Sequence, residues 1–118
     1  MFRITKEFHF SASHQLTHLP ADHQCARLHG HNYIVVVELA AAELNGDGFV
    51  RDYHDLAPLK RYIDDHFDHR HLNEVLGHAR VTSECLARHF YDWCKERLPE
   101  TSAVRVSETP KTWAEYRP

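Results

Sequence analysis

The chain has 118 residues, is 42% hydrophobic and 26% charged, and carries a formal charge of -3 when its 12 histidines are neutral. That length sets the expectation of one domain over residues 1–118; no stretch reaches the roughly 20 apolar residues of a membrane span, and the acidic balance argues against a nucleic-acid partner. Met1 to Thr5 lacks the basic-then-apolar pattern of a secretion signal, and three cysteines (Cys25, Cys85, Cys94) make an odd set for a disulfide framework, so the expected compartment is the cytoplasm.

Residues 2–11 alternate, with Phe2, Ile4, Lys6, Phe8 and Phe10 on one side, and predict a half-buried strand. Residues 12–28 are polar and irregular, a connection long enough in a small domain to be functional. Residues 31–42 are rich in β-branched side chains and predict a second strand. Asn45-Gly46-Asp47-Gly48 is a turn signal. Leu56, Leu59, Ile63 and Phe67 recur at helical spacing, predicting a helix over about 55–67, with Pro58 tolerated in its first turn. Residues 68–73 read as a loop. Thr82 is a good N-cap for a second helix carrying Leu86, Phe90, Trp93 and Cys94 and ending before Pro99. On that helix Cys85 and Cys94 read as small buried apolar residues. Residues 103–108 alternate as a third strand, and 111–116 fit a fourth. The expected fold is α+β: a four-stranded antiparallel sheet in the order ββααββ, with two helices on one face. Its uncovered face and free edges call for oligomerisation.

The chemistry concentrates at His29-Gly30-His31. Histidines at i and i+2 on a strand share a face, and the glycine between them permits a close approach by backbone or ligand. His14 lies near the end of the first strand. Three neutral imidazoles with one open position are the donor set of a catalytic Zn²⁺. Cys25, four residues before His29 in a polar loop, reads as a reactive group beside the metal. Apart from His71, the other histidines outside the Asp68-His69 pair (His9, His18, His23, His54, His66, His78 and His89) read as surface polar residues.

Cys25-Ala26-Arg27-Leu28-His29-Gly30-His31-Asn32 resembles the C-x-x-x-H-G-H signature of the 6-pyruvoyl-tetrahydropterin synthase family, in its 6-carboxytetrahydropterin-forming branch of queuosine and other 7-deazapurine biosynthesis. Further pieces run in the family's order: Ser11-Ala12-Ser13-His14, Gly48 to Tyr53, Phe67-Asp68-His69-Arg70-His71-Leu72-Asn73, Thr82-Ser83-Glu84 and Ser107-Glu108-Thr109. Tyr53, Phe67 and Val81 depart from the family pattern at positions of packing or helix start.

The resemblance implies a tunnelling fold whose sheets join in a ring, a hexamer with active sites between subunits, and 7,8-dihydroneopterin triphosphate as the small-molecule substrate. The implied products are 6-carboxytetrahydropterin, acetaldehyde and triphosphate. It implies His14, His29 and His31 as Zn²⁺ ligands, Cys25 as general base, Asp68 and His69 as a proton-transfer pair, and Glu108 as the pterin anchor. Thr82, Ser83 and Glu84 either cap the helix or add pterin contacts, and Arg27 is a candidate for the triphosphate that residue pattern alone does not place. The role of His71 stays open. The alternatives are the pyruvoyl-forming enzyme on the same scaffold, whose gap before the histidine pair is longer, and a non-catalytic metal-binding module.

Overall fold

Period-2 alternation sets the sheet. In the computed structural model, which describes residues 1–118, Phe8, Phe10, Ala12 and His14 of β1 (Phe2–His14) are buried on one face while Ser11 and Ser13 turn to the other. β2 (His29–Ala41) pairs antiparallel with β1 along its whole length, from Phe2 opposite Ala41 to His14 opposite His29. A 3₁₀ turn at Gln24–Ala26 interrupts the connection between them. Asn45 caps the next turn, its side-chain oxygen accepting from the N–H groups of Asp47 and Phe49.

A 3₁₀ turn at Tyr53–Leu56 leads into α1 (Ala57–His66), with Pro58 in its first turn. After α1 the chain runs back along β1 as β3 (Arg70–His71), then forms α2 (Leu72–Leu76), which Gly77 ends in the left-handed conformation at φ 74°. α3 (Ser83–Arg97) is capped by Thr82, whose hydroxyl accepts from the Cys85 N–H at 3.2 Å. β4 (Thr101–Thr109) and β5 (Thr112–Tyr116) complete the chain.

The sheet is five-stranded and mixed, in the order β3-β1-β2-β4-β5, with β3 parallel to β1. This corrects the expected four-stranded antiparallel sheet, and α2 adds a third helix. The reason is physical. β3 is two residues long and has no alternation to read. It exists because the segment after α1 is hydrogen-bonded onto the free edge of β1: His69 N–H donates to the Ser11 carbonyl at 2.6 Å, and Ser11 N–H donates to Asp68 at 3.0 Å. The predicted strand 2–11 also runs on to His14.

One apolar layer lies between sheet and helices. Phe10 stacks on Tyr33 with ring centroids 4.9 Å apart and meets Phe67 and Phe90 edge-on; Leu59 and Ile63 of α1 and Leu86 of α3 close over them. Truncating Phe90, which is fully buried, to Ala is expected to cost about 3–5 kcal/mol. The layer ends at His14, so the polar centre sits at the rim of the core. No helix is long and apolar enough to cross a membrane.

Candidate metal centre

His14, His29 and His31 converge at one end of the β1–β2 ladder, with one potential ligand atom from each within 4.8 Å of the others. Register brings them together. His14 is paired with His29, and His31 is opposite Ala12, two residues earlier on β1 and on the same face. Gly30 points the other way. A Cβ there would lie 3.3 Å from the Ala12 carbonyl oxygen, so the close approach this glycine permits is by the β1 backbone.

Two backbone carbonyls fix the imidazoles. His14 Nδ1 lies 2.6 Å from the Val81 carbonyl oxygen, and His29 Nδ1 lies 2.6 Å from that of Arg27. A carbonyl only accepts, so both Nδ1 atoms carry the proton and both Nε2 atoms present lone pairs. These Nε2 atoms are 2.8 Å apart. Two lone pairs at that distance repel unless a cation stands between them, and burial, the largest influence on His14, lowers its affinity for a proton. His31 Nε2 is buried without a hydrogen-bond partner. Three directed imidazole nitrogens, one of them orphaned, fit a metal ion with a nitrogen preference such as Zn²⁺.

Glu108, on β4, is brought to this centre. Its Oε2 is 3.6 Å from His31 Nε2, too long for a hydrogen bond. Its charge counters the burial that lowers the basicity of His31. The fully buried Tyr33 also reaches the centre, its ring 5.5 Å from that of His31. Burial, with the charge of Glu108 behind it, pushes the phenol far above its ordinary range.

Cys25 is a free, half-buried thiol in the 3₁₀ turn, on the connection between the metal-facing strand ends. Its backbone is tied at both sides: the Cys25 N–H donates to His23 Nδ1 at 3.0 Å, and the Leu16 N–H donates to the Cys25 carbonyl at 3.1 Å. Cys94 is buried and its thiol is pushed up to about 12 by that burial. Cys85 is half-buried, 3.8 Å from His78 Nε2.

Asp68 and His69 are paired, Oδ2 to Nδ1 at 3.0 Å, and are not part of the group of converging ligand atoms from His14, His29 and His31. They lie at the β1 edge, where His69, Ser11, Ser13, Asn32 and His71 line a cleft that Gly30 and His31 border too. The Ser11 N–H, followed by His69, holds the Asp68 carboxyl below its ordinary range. His69 has φ 60°, an uncommon conformation for a residue with a side chain, and its side chain is 81% exposed. His71 Nδ1 is 2.9 Å from the Ser13 hydroxyl, which fastens this edge. Thr82 is occupied as a cap, the Ser83 hydroxyl donates to Glu84 at 3.1 Å, and Arg27 is exposed, touching the centre through its carbonyl. Val81 and Tyr33 are participants that residue types did not announce. The Val81 contribution is a backbone carbonyl, and Tyr33 reads as core.

Fold and centre define a class: a metal-dependent enzyme whose site is carried at one end of a helix-covered sheet. The chain belongs to the 6-pyruvoyl tetrahydropterin synthase family, whose profile matches residues 3–118. It is 37% identical to the 6-carboxy-5,6,7,8-tetrahydropterin synthase of Synechocystis sp. over 98% of this chain and 93% of the relative. It is 31% identical to the enzyme of the same name from Bacillus subtilis, over 99% and 86% of the two chains. The solved structure of the Caenorhabditis elegans 6-pyruvoyl tetrahydropterin synthase superposes with a TM-score of 0.86 at 26% identity, over 99% of this chain and 95% of that one.

Proposed function

We propose that this chain is a zinc-dependent lyase that converts 7,8-dihydroneopterin triphosphate to 6-carboxy-5,6,7,8-tetrahydropterin, acetaldehyde and triphosphate, in queuosine biosynthesis in the cytoplasm. The observation that carries the reading is the directed set of imidazole nitrogens on His14, His29 and His31, in a family of tetrahydropterin synthases. The gap of three residues between Cys25 and His29 supports the carboxy-forming branch over the pyruvoyl-forming one.

In this reading His14, His29 and His31 hold the zinc. The bound metal supplies Lewis acidity, polarising oxygens of the substrate side chain. Cys25 acts as general base, taking a proton from a substrate carbon onto Sγ. Asp68 orients His69, whose imidazole takes up or gives the proton in this reading. Glu108 accepts the paired ring N–H and amino donors of the pterin. Thr82, Ser83 and Glu84 either serve only the start of α3 or add pterin contacts from it, and the exposed side chain of Arg27 is the candidate to meet the triphosphate.

The placement of His69 supports sites shared between subunits. Cys25 lies on the loop beside the three histidines, whereas the exposed His69 stands on the outward edge of the same sheet. The edge strands β3 and β5, the latter with Trp113 half exposed, favour sheet-to-sheet joining into a hexamer. His69 of one subunit then completes the site of its neighbour.

The test is incubation of zinc-loaded protein with 7,8-dihydroneopterin triphosphate, with mass analysis of the pterin and an assay for acetaldehyde. A 6-carboxytetrahydropterin with stoichiometric acetaldehyde is the expected result; a pyruvoyl product, or no turnover, overturns the reading.

A further inference from the structure

Two buried side-chain atoms have no hydrogen-bond partner: His31 Nε2 and the Tyr33 hydroxyl. A metal ligand role accounts for the first. Nothing in the activity proposed above uses the second. A phenol sealed away without a partner costs stability, and phenylalanine would fill the same space without that cost. An orphaned donor beside a site is explained when the occupied site supplies its acceptor.

The surroundings of Tyr33 name the acceptor. Tyr33 follows His29 and His31 at successive alternate positions of β2, so all three side chains share a face. Its ring is fixed by stacking on Phe10 and lies edge-on to His31 at 5.5 Å and His14 at 6.1 Å. Antiparallel register carries it opposite Glu108, one residue beyond the Ile34–Ser107 pair. The Glu108 carboxylate lies 3.6 Å from His31 Nε2. A metal on that nitrogen takes its lone pair, so Nε2 has no hydrogen bond to donate to the carboxylate. The unpaired donor on the same face is then Tyr33. A carboxylate has about four acceptor sites on its two oxygens, enough for two pterin donors and one phenol.

We propose that Tyr33 is a positioning residue for Glu108: in the ligand-bound centre its hydroxyl donates to the Glu108 carboxylate and holds it in the orientation that receives a pterin. This rests on the reading of Glu108 as the pterin anchor.

The experiment uses neopterin, a fluorescent pterin without the triphosphate, titrated into zinc-loaded protein, alongside zinc stoichiometry and melting of the metal-free protein. Tyr33→Phe is expected to bind neopterin about ten- to a hundred-fold more weakly, the worth of a hydrogen bond to a charged group. Its zinc stoichiometry is expected to be unchanged, and its metal-free Tm equal to the wild type or higher, because the orphaned hydroxyl is gone. Glu108→Ala is expected to weaken neopterin too, and adding Tyr33→Phe to it to change nothing more. Glu108→Gln, which keeps the volume, serves the same comparison if the alanine variant does not fold. Wild-type affinity in the Glu108 variants overturns the anchor reading and this inference with it. Weakened Glu108 variants beside an unaffected Tyr33→Phe overturn this inference alone. So does a Tyr33 effect that persists without Glu108, or one that comes with a lowered Tm and lost zinc.

Discussion

His14 Nε2 and His29 Nε2 face each other at 2.8 Å, across the last residue pair of the β1–β2 ladder. Each is turned inward because its Nδ1 proton is held by a backbone carbonyl, Val81 for one and Arg27 for the other. The chain thus pre-orients two acceptors that only a cation reconciles.

One Zn²⁺ per chain is therefore expected, measured by elemental analysis after dialysis. Replacing His14, His29 or His31 singly by Ala should strip or greatly weaken it. Because metal binds the folded state, loading should raise the wild-type Tm, by about 4 kcal/mol of stabilisation when free metal is a thousand times Kd. Full zinc occupancy in His29→Ala after mild chelation would count against the assignment.

Cys25→Ala should keep zinc and bind pterin but turn over about a hundred- to ten-thousand-fold more slowly, the usual loss for a general base. Iodoacetamide should reproduce the effect in the wild type, and bound pterin should protect. Cys94, buried and with its thiol pushed up, should be unreactive in the folded protein. Near-normal turnover by Cys25→Ala would refute the base assignment.

Sites shared between subunits predict complementation. Cys25→Ala and His69→Ala should each be nearly inactive as pure oligomers. Mixing them under conditions of subunit exchange should restore activity, since some sites then combine an intact Cys25 with a neighbour's intact His69. Light scattering should give a mass several times 13.8 kDa. A monomer, or no recovery on mixing despite exchange, would sink the shared-site arrangement.

His89 provides a pH test away from the metal. It is packed among Tyr62, Phe67 and Phe90, is 2.8 Å from the Tyr62 hydroxyl, and burial lowers it below the ordinary 6.5 against the opposing charge of Asp92. The unfolded chain takes up this proton near 6.5, whereas the folded chain resists until lower pH. Unfolding therefore binds a proton in that interval, and stability, full above the ordinary value, falls as pH falls below it. His89→Gln keeps a partner for Tyr62 and cannot titrate. Zinc-loaded wild type should lose more Tm between pH 7.5 and 5.5 than this variant; equal slopes would exclude His89 as a contributor.

Period-2 spacing alone determined that His29 and His31 share a face; side-chain alternation located β1 and β4, and β-branched richness located β2. Thr82 announced α3 because capping is a property of residue type and local backbone. The pieces around Cys25, Asp68 and Glu108 carried the family because their residue types and order are local facts. What folding decided is of another kind. β3 depends on hydrogen bonds from Ser11 to a segment 57 residues away, and no periodicity encodes a contact of two residues. The inward tautomers of His14 and His29 depend on carbonyl oxygens, which every residue possesses, so no residue type marks Val81 or Arg27 for that role. Tyr33 has the pattern of a core strand residue, and only packing against Phe10 and His31 leaves its hydroxyl sealed and unpaired beside the centre. Asp68 and His69 sit on the outward edge because both are hydrogen-bonded to Ser11 on the free side of β1, a contact between segments far apart in the chain.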